Sequence, residues 1–346
     1  MRVEERLAEK CREALRGLRG LRRARVEDIF QVRRLYIGPG EVEIANYIRR
    51  HPISAFNPGA LLEGRELQIF PRCIFEFYSY SSSIAKLSID VEQILDGEIE
   101  GPLEARIILW PRELWDIRGC EDARIHSVED GYLILYTGVG FKTEGGELTK
   151  TYVQGLARFN GDWEEMGRGY FTIAEDGETY TPEIKDSAIL NLKGSETSML
   201  TRPTIRDVRI CWRCRADLEE MRMWSLEPVM AVEDWESRIG WSTNALRLSG
   251  GEYLIGWHGA SSRDLAFRNG LAVVDEDGRL LAISDYLLEP RGLIEEYGDR
   301  PQTLFGCGLI EYDEYLIWVG GIGDCCIGIF IAELEEALER LRWLEG

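Results

Sequence analysis

The sequence predicts an all-β protein, a five-bladed β-propeller with helical extensions at its N- and C-terminal ends. Beyond residue 50 the texture is short apolar-alternating runs broken by Gly, Asp and Asn, with no long amphipathic helix until the end. A strand pattern also recurs, as Gly131-Tyr132-Leu133-Ile134, Glu252-Tyr253-Leu254-Ile255 and Glu314-Tyr315-Leu316-Ile317. Weaker copies are Glu66-Leu67-Gln68-Ile69 and Glu196-Thr197-Ser198-Met199. Aligned on the Tyr, the copies fall at 67, 132, 197, 253 and 315. Five copies at near-even spacing suit four-stranded blades around a central channel.

Before the repeat, residues 3 to about 35 read as helix, with Leu7, Cys11, Leu15, Leu18 and Leu21 at spacings of three and four. Such a helix packs on its own domain or on a second copy of the chain, so contact between subunits is expected there. Residues 332–343 return to helix through Leu334, Ala337, Leu338 and Leu341. The expected organisation is an extension over 1–45, a catalytic propeller over 46–335 and a packed C-terminal helix over 336–346.

The chain has 346 residues and a net charge of −20, which argues against a nucleic-acid partner, since a phosphate-backbone binder carries a basic field. A local basic pocket for one small anion is still compatible with that charge. No apolar run approaches the roughly 20 residues of a membrane helix, so no membrane partner is expected. Met1-Arg2-Val3-Glu4 is not followed by the apolar stretch of a signal peptide, and the expectation is a cytoplasmic protein. Among eight cysteines, Cys211 and Cys214 have CxxC spacing but no second pair completes a zinc set. Buried thiols on strands are the first expectation for them and structural disulfides the second. No His, Cys and Asp cluster has metal-ligand spacing, so neither metal nor cofactor is expected.

The segment Gly119-Cys120-Glu121-Asp122-Ala123-Arg124 reads as a tight acidic turn leading into the strand that ends at Gly138. About ten residues before each repeat reference lie Asn57, Asp122, Asp186, Asn244 and Gly306, and five residues after it lie Arg72, Thr137, Arg202, His258 and Gly320. Equivalent positions of successive blades form a ring. Asn57, Asp122 and Asp186 are therefore expected to face one another near the axis, and Arg72, Arg202 and His258 to form a second cluster. A carboxylate opposed by cations around a polar hole suits hydrolysis or phosphorolysis of a small polar substrate. The alternative for Asp122 is a surface Asp–Arg turn pair, and for His258 a satisfied core histidine. Lys185 and Arg238 are further cations at blade junctions, and Gly240 would let the backbone approach a ligand. Asp324 is read as a sugar-hydroxyl acceptor or as a turn cap. Trp241, Trp257, Trp318 and Tyr136 are either sugar-stacking rings or core.

Gly119-Cys120-Glu121-Asp122-Ala123-Arg124 resembles the GxEDPR signature of glycoside hydrolase family 130, the β-mannoside phosphorylases and related mannosidases. Phe56-Asn57-Pro58-Gly59, Lys185-Asp186 with Thr201-Arg202-Pro203, Arg238-Ile239-Gly240, Trp257-His258-Gly259, and Leu304-Phe305-Gly306-Cys307-Gly308 followed by Gly323-Asp324 are similar to further motifs of that family. The resemblance covers roughly residues 50 to 335. It implies a five-bladed propeller and an inverting phosphorolysis of a β-mannoside to α-mannose 1-phosphate, with inorganic phosphate as co-substrate. Asp122 would be the proton donor, acting directly or through a sugar hydroxyl. Lys185, Arg202, Arg238 and His258 would hold phosphate, and Asn57, Arg72 and Asp324 would contact sugar. The departures are Ala123 for the signature Pro, Lys185 for Arg, Arg238 for Lys, Asp186 for Asn and Phe267 for Tyr. Asp186, placed with the substrate-binding set, is also the candidate base of an inverting hydrolase, the alternative activity. A non-catalytic sugar-binding propeller is the third reading.

Overall fold

The structure is a computed structural model that describes residues 2–344. It is predominantly β-strand, with four short α-helices among the described residues. Twenty of the 25 described strands form five antiparallel four-stranded units. Their lead strands are Ser54–Glu63, Gly119–Val128, Ile184–Lys193, Glu236–Arg247 and Leu304–Tyr312. Each pairs with a second strand that opens on the repeated motif, Glu66–Ile74, Gly131–Glu144, Glu196–Ile205, Tyr253–Ser261 and Tyr315–Ile322. The recurrence in sequence is thus the second strand of each unit.

Hydrogen bonding distributes the strands among four sheets, none of them closed; among the described residues, strand pairing joins the first two units at one place, Ser82 opposite Gly119. Side-chain packing does run in a cycle. Phe70 and Ile84 pack with Ile125 and Tyr136, Leu133 and Leu156 with Ile189 and Trp212, and Leu200 with Trp241 and Trp257. Leu254 and Val273 then pack with Leu309 and Trp318, and Ile317 and Ile329 return to Leu67 and Ile69 of the first unit. The rings considered as sugar platforms, Tyr136, Trp241, Trp257 and Trp318, are spent on these interfaces and are fully buried.

Each lead strand carries a bulge at the same height, between Phe56 and Gly59, Glu121 and Arg124, Lys185 and Ala188, Trp241 and Ala245, and Gly306 and Gly308. Three of these bulges hold a left-handed residue, Asn57 (φ 45°), Asp122 (φ 54°) and Asp186 (φ 53°). Asn and Asp tolerate that conformation better than other side chains with a Cβ. The bulge therefore has a backbone reason for the residue types that line the axis, and bulges re-aim side chains. Gly119–Arg124 is consequently strand with a bulge, not the turn expected from its composition.

The ends differ from expectation. The N-terminal helix spans Val3–Gly17 and stops there. The chain then runs to Arg33–Ile37, a strand that pairs with Cys326–Glu333 and completes the fifth unit. The boundary expected at residue 45 thus cuts through that unit. At the other end the helix is only Leu334–Glu339, followed by Arg342–Trp343 pairing with Leu280–Ile283; residues 345–346 lie outside the described residues. Val3, Leu7, Ala8, Cys11 and Ala14 are buried against Ile173, Met223 and Leu226 of the same chain, so of the two expected uses of the apolar stripe the structure shows packing on its own domain. Leu7→Ala should therefore lower folding stability by about 2–4 kcal/mol, read from denaturant midpoints, with no change in oligomeric state by light scattering.

Candidate active site

The bulges bring together two chemically distinct walls of side chains that meet at Asp122. On one wall the Asn57 amide donates to Asp122 Oδ1 at 3.0 Å. The Arg72 guanidinium lies 2.7 Å from Glu121 Oε1 and 3.7 Å from Asp122 Oδ1, over the face of Phe56. Burial works against the charge on Arg72, but Glu121, Asp122 and Asp324 outweigh it and raise its pKa. Asp324, left-handed at φ 51°, faces the same group. Its own pKa is pushed up to about 6 by burial, against the pull of Arg300 and Arg72.

On the other wall a cavity of about 280 Å³ is lined by Asp122, Lys185, Asp186, Arg202, Arg238 and His258, together with Tyr152, Glu183, Arg209, Phe267, Arg300 and Phe305. In a chain of net charge −20, five cations meet three carboxylates here. Lys185 lies 4.0 Å over the Tyr152 ring, and Arg238 and Arg300 lie 5.8 and 4.3 Å from the centre of Phe267. Among the described residues no carboxylate pairs with any of these three. Burial lowers the pKa of Arg238, and Arg300, Arg209 and Arg202 lower it further, so the positive groups press on one another. Such a cluster gains from any anion that enters it.

Asp186 stands between the walls. Its Oδ2 receives Arg202 Nε at 2.6 Å and its Oδ1 receives Arg124 Nη2 at 3.3 Å. Burial alone would raise its pKa, but Arg202, His258 and Arg124 hold the carboxyl well below the usual range. His258 is also buried, with Nδ1 3.1 Å from Ser242 Oγ and Nε2 4.0 Å from Asp186. Burial drives its pKa down to about 3, so at neutral pH it is an uncharged donor and not one of the cations it was counted among.

Most of the expected site residues therefore lie around one hollow, but in a different grouping. Asn57 and Asp122 meet directly, whereas Asp186 reaches Asp122 only through Arg124, which also donates to the Asp122 carbonyl at 2.8 Å. Arg72 leaves the expected trio with Arg202 and His258 and joins the carboxylates. Gly240 admits protein, not ligand: a Cβ there would lie 2.4 Å from the His258 ring and 2.9 Å from Arg202 Nε. Sequence reasoning missed Arg300, Arg209, Glu183 and Tyr152. Arg300 lies in the aperiodic loop before the last lead strand, and its Gly298-Asp299-Arg300-Pro301 context carries only a turn signal. Cys211 and Cys214 are buried free thiols on one strand.

Asp122 thus lines the same cavity as a cluster of cations, an arrangement open to a polar, anionic ligand. The chain belongs to glycoside hydrolase family 130, whose model, described as beta-1,4-mannooligosaccharide phosphorylase, matches residues 20–342. It is 24% identical over 299 residues to a beta-1,2-mannobiose phosphorylase of Thermoanaerobacter sp. (strain X514), covering 82% of this chain and 91% of that protein. Among solved structures, beta-1,2-mannobiose phosphorylase from Listeria innocua superposes with a TM-score of 0.68 at 18% identity, over 89% of this chain and 98% of that one. Another, described by the statement that the GH130 family of mannoside phosphorylases contains glycoside hydrolases targeting beta-1,2 mannosidic linkages in Candida mannan, gives 0.65 at 17%, over 82% and 85%.

The half-buried Asp324 makes a testable cost. A carboxyl whose folded pKa is about 6 binds its proton more tightly folded than unfolded, so stability falls as pH rises from about 4 through 6 and stays lower above. Asp324→Asn, which tolerates the same positive φ, should be more stable than the parent at pH 7.5 by roughly 2 kcal/mol. At pH 4 the two melting points should converge.

Proposed function

We propose that this chain is an inverting β-mannoside phosphorylase built on a five-bladed β-propeller. Inorganic phosphate, held by Lys185, Arg202 and Arg238 with a neutral N–H from His258, attacks the anomeric carbon. The C1–O bond to the leaving sugar breaks as the C1–O bond to phosphate forms, and Asp122 delivers the proton to the departing oxygen, directly or through a sugar hydroxyl. Asn57, Arg72 and Asp324 orient the mannosyl ring. The product is α-mannose 1-phosphate, and the reaction calls on no group besides its two substrates. The propeller reading is supported by the cyclic packing of the five four-stranded units. Eight unpaired thiols suit a reducing compartment, and we place the enzyme in the cytoplasm.

The observation that carries this reading is the group of cations without carboxylate partners in the same cavity as Asp122. Preorganised positive groups lower the cost of bringing a phosphate dianion to a carbon that is losing its leaving group. The hydrolytic alternative needs a base for water, and Asp186 is poorly suited to it, since Arg124 and Arg202 occupy its oxygens and hold it ionised.

Incubating the protein with β-linked mannobioses, with and without phosphate, separates the readings. We expect mannose 1-phosphate of α configuration, seen by NMR, only when phosphate is present. Mannose released equally without phosphate would establish a hydrolase, and binding without turnover a sugar-binding protein. Asp122→Asn should abolish turnover on natural mannosides with the fold intact; a near-normal rate would move the acid elsewhere. Arg300→Met should raise the KM for phosphate by about tenfold or more, the loss of a charged contact, and leave the KM for sugar nearly unchanged. Arg300→Lys should recover part of it.

A further inference from the structure

The connection between the fourth and fifth units, residues 284–303, carries Arg300 to the cation wall and touches the turn that carries Asp324. The two segments meet at a pair of glycines. Arg300 N–H donates to the Gly323 carbonyl at 2.9 Å, and Gly323 N–H donates to the Thr303 carbonyl at 2.9 Å. Beside those bonds Gly298 lies against Gly323. A Cβ on Gly298 would stand 2.6 Å from the Gly323 oxygen and 2.8 Å from its Cα, and one on Gly323 would stand 3.0 Å from the Gly298 Cα. Gly323 is also left-handed, at φ 58°. Neither side of this contact has room for a side chain, so backbone rests on backbone.

The Asp324 turn is also tied to the first unit. Its Cys325 carbonyl accepts Ala55 N–H at 3.1 Å, and a Cβ on Gly321 would stand 2.0 Å from Asn57 Oδ1. The strand leading into the turn is therefore packed on the residue that donates to Asp122. The connection has its own anchors away from the turn. The Glu295 carboxylate accepts Arg34 Nη1 at 2.6 Å and the Tyr36 hydroxyl at 2.8 Å. Phe267 N–H donates to the Gln302 carbonyl at 2.8 Å, and the Phe267 ring backs Arg300. Leu293 and Tyr297 of the same connection are 80% and 73% exposed, so they do not hold it in place by burial. Its place relative to Asp324 is set where Gly298 meets Gly323. Arg300 faces the cavity of the cations and Asp324 faces the group around Arg72, so a displacement at this contact reaches both.

We propose that Gly298 and Gly323 are positioning residues, acting through Arg300 and Asp324 to set the phosphate side and the sugar side of the site jointly. This rests on the phosphorylase reading given above. Gly298→Ala adds a methyl group that must open the contact by roughly 0.7 Å to reach an ordinary C···O separation. It should raise the KM for phosphate and the KM for β-linked mannobiose together, each by about tenfold, the scale of one hydrogen bond lost. One-sided substitutions behave differently. Arg300→Met keeps the backbone contact and raises the KM for phosphate, whereas Asp324→Asn raises the KM for mannobiose. A merely destabilised enzyme loses kcat with its active fraction and keeps both KM values. A fall in kcat alone in Gly298→Ala, or a rise in only one KM, would therefore overturn the proposal. If Gly298→Ala does not fold, Arg300→Pro is compared with Arg300→Met, since only the proline deletes the N–H that Gly323 accepts. The proline variant should raise the KM for mannobiose as well, and equal values in the two would count against the proposal. Calorimetric titration of Asp122→Asn with phosphate and with mannobiose, with and without Gly298→Ala, needs no turnover. Weaker binding of both ligands, in a protein whose parent forms no mannose 1-phosphate, would sink the phosphorylase reading and keep the glycine pair. Phosphate-dependent turnover with either KM unmoved by Gly298→Ala would do the reverse.

Discussion

One wholly buried guanidinium holds the centre of this protein together. Arg124 donates from Nε to the Ser242 carbonyl at 2.7 Å, from Nη1 to the Asp122 carbonyl at 2.8 Å and from Nη2 to Asp186 at 3.3 Å, with Phe305 beside its plane. Those partners lie on lead strands of four different units. Removing such a charge from water costs several kcal/mol, and only a full set of acceptors offsets it. The same set fixes how the lead strands sit about the axis, where backbone hydrogen bonds between units are almost absent. Bulges free the carbonyls that Arg124 needs, and Arg124 in turn makes the bulged conformations worth keeping. Each is incomplete without the other.

The charge distribution follows from that arrangement. Asp186 satisfies Arg124 and one edge of Arg202, leaving Lys185, Arg238 and Arg300 to face the cavity without partners among the described residues. Aromatic rings back all three cations. A ring face attracts a cation without neutralising it, so positive groups sit close together and stay available to an anion. On the opposite wall the charge of Arg72 is paired with Glu121 at 2.7 Å and lies 3.7 Å from Asp122, although its buried Nε has no hydrogen-bond partner. Two groups of opposite character thus adjoin at Asp122 because each arginine has a different set of neighbours.

Much of this was legible in the sequence, for a physical reason. A bulge recurring at one height of five lead strands leaves a recurring trace, so the repeat located Asn57, Asp122 and Asp186 as well as Arg202 and His258 on the strands beside them. What it could not supply was side-chain direction. Arg72 and Arg202 hold equivalent places beside their lead strands, opposite Phe56 and Lys185, yet Arg202 meets the carboxylate of Asp186 in its own unit's bulge, whereas that of Arg72 holds Asn57 and Arg72 turns to Glu121 of the next unit. The acidic, glycine-led start of Gly119–Arg124 imitated a turn because residues that suit a left-handed bulge are the same ones that suit turns. The strand Arg33–Ile37 was hidden because its partner lies about three hundred residues away and the helical spacing of Leu18 and Leu21 runs on past the true end of the helix. Arg300 comes from a connection between units, which obeys no period.

The conformation of the site is maintained at a cost that the rest of the chain must cover. Three non-glycine residues at the axis are left-handed, a fourth, Asp324, is left-handed and has its carboxyl pushed up by burial, and Arg238 is pressed by like charges. Each is a local loss, tolerated because apolar side chains pack each unit against the next, the N-terminal strand Arg33–Ile37 supplying the last strand of the fifth unit. Functional sites commonly carry such strain, and it persists only where the surroundings over-determine it. Here the over-determination is geometric: no lead strand can relax its bulge without disturbing packing on both sides. The polar groups at the axis therefore keep their places before any ligand arrives, as preorganised catalysis requires.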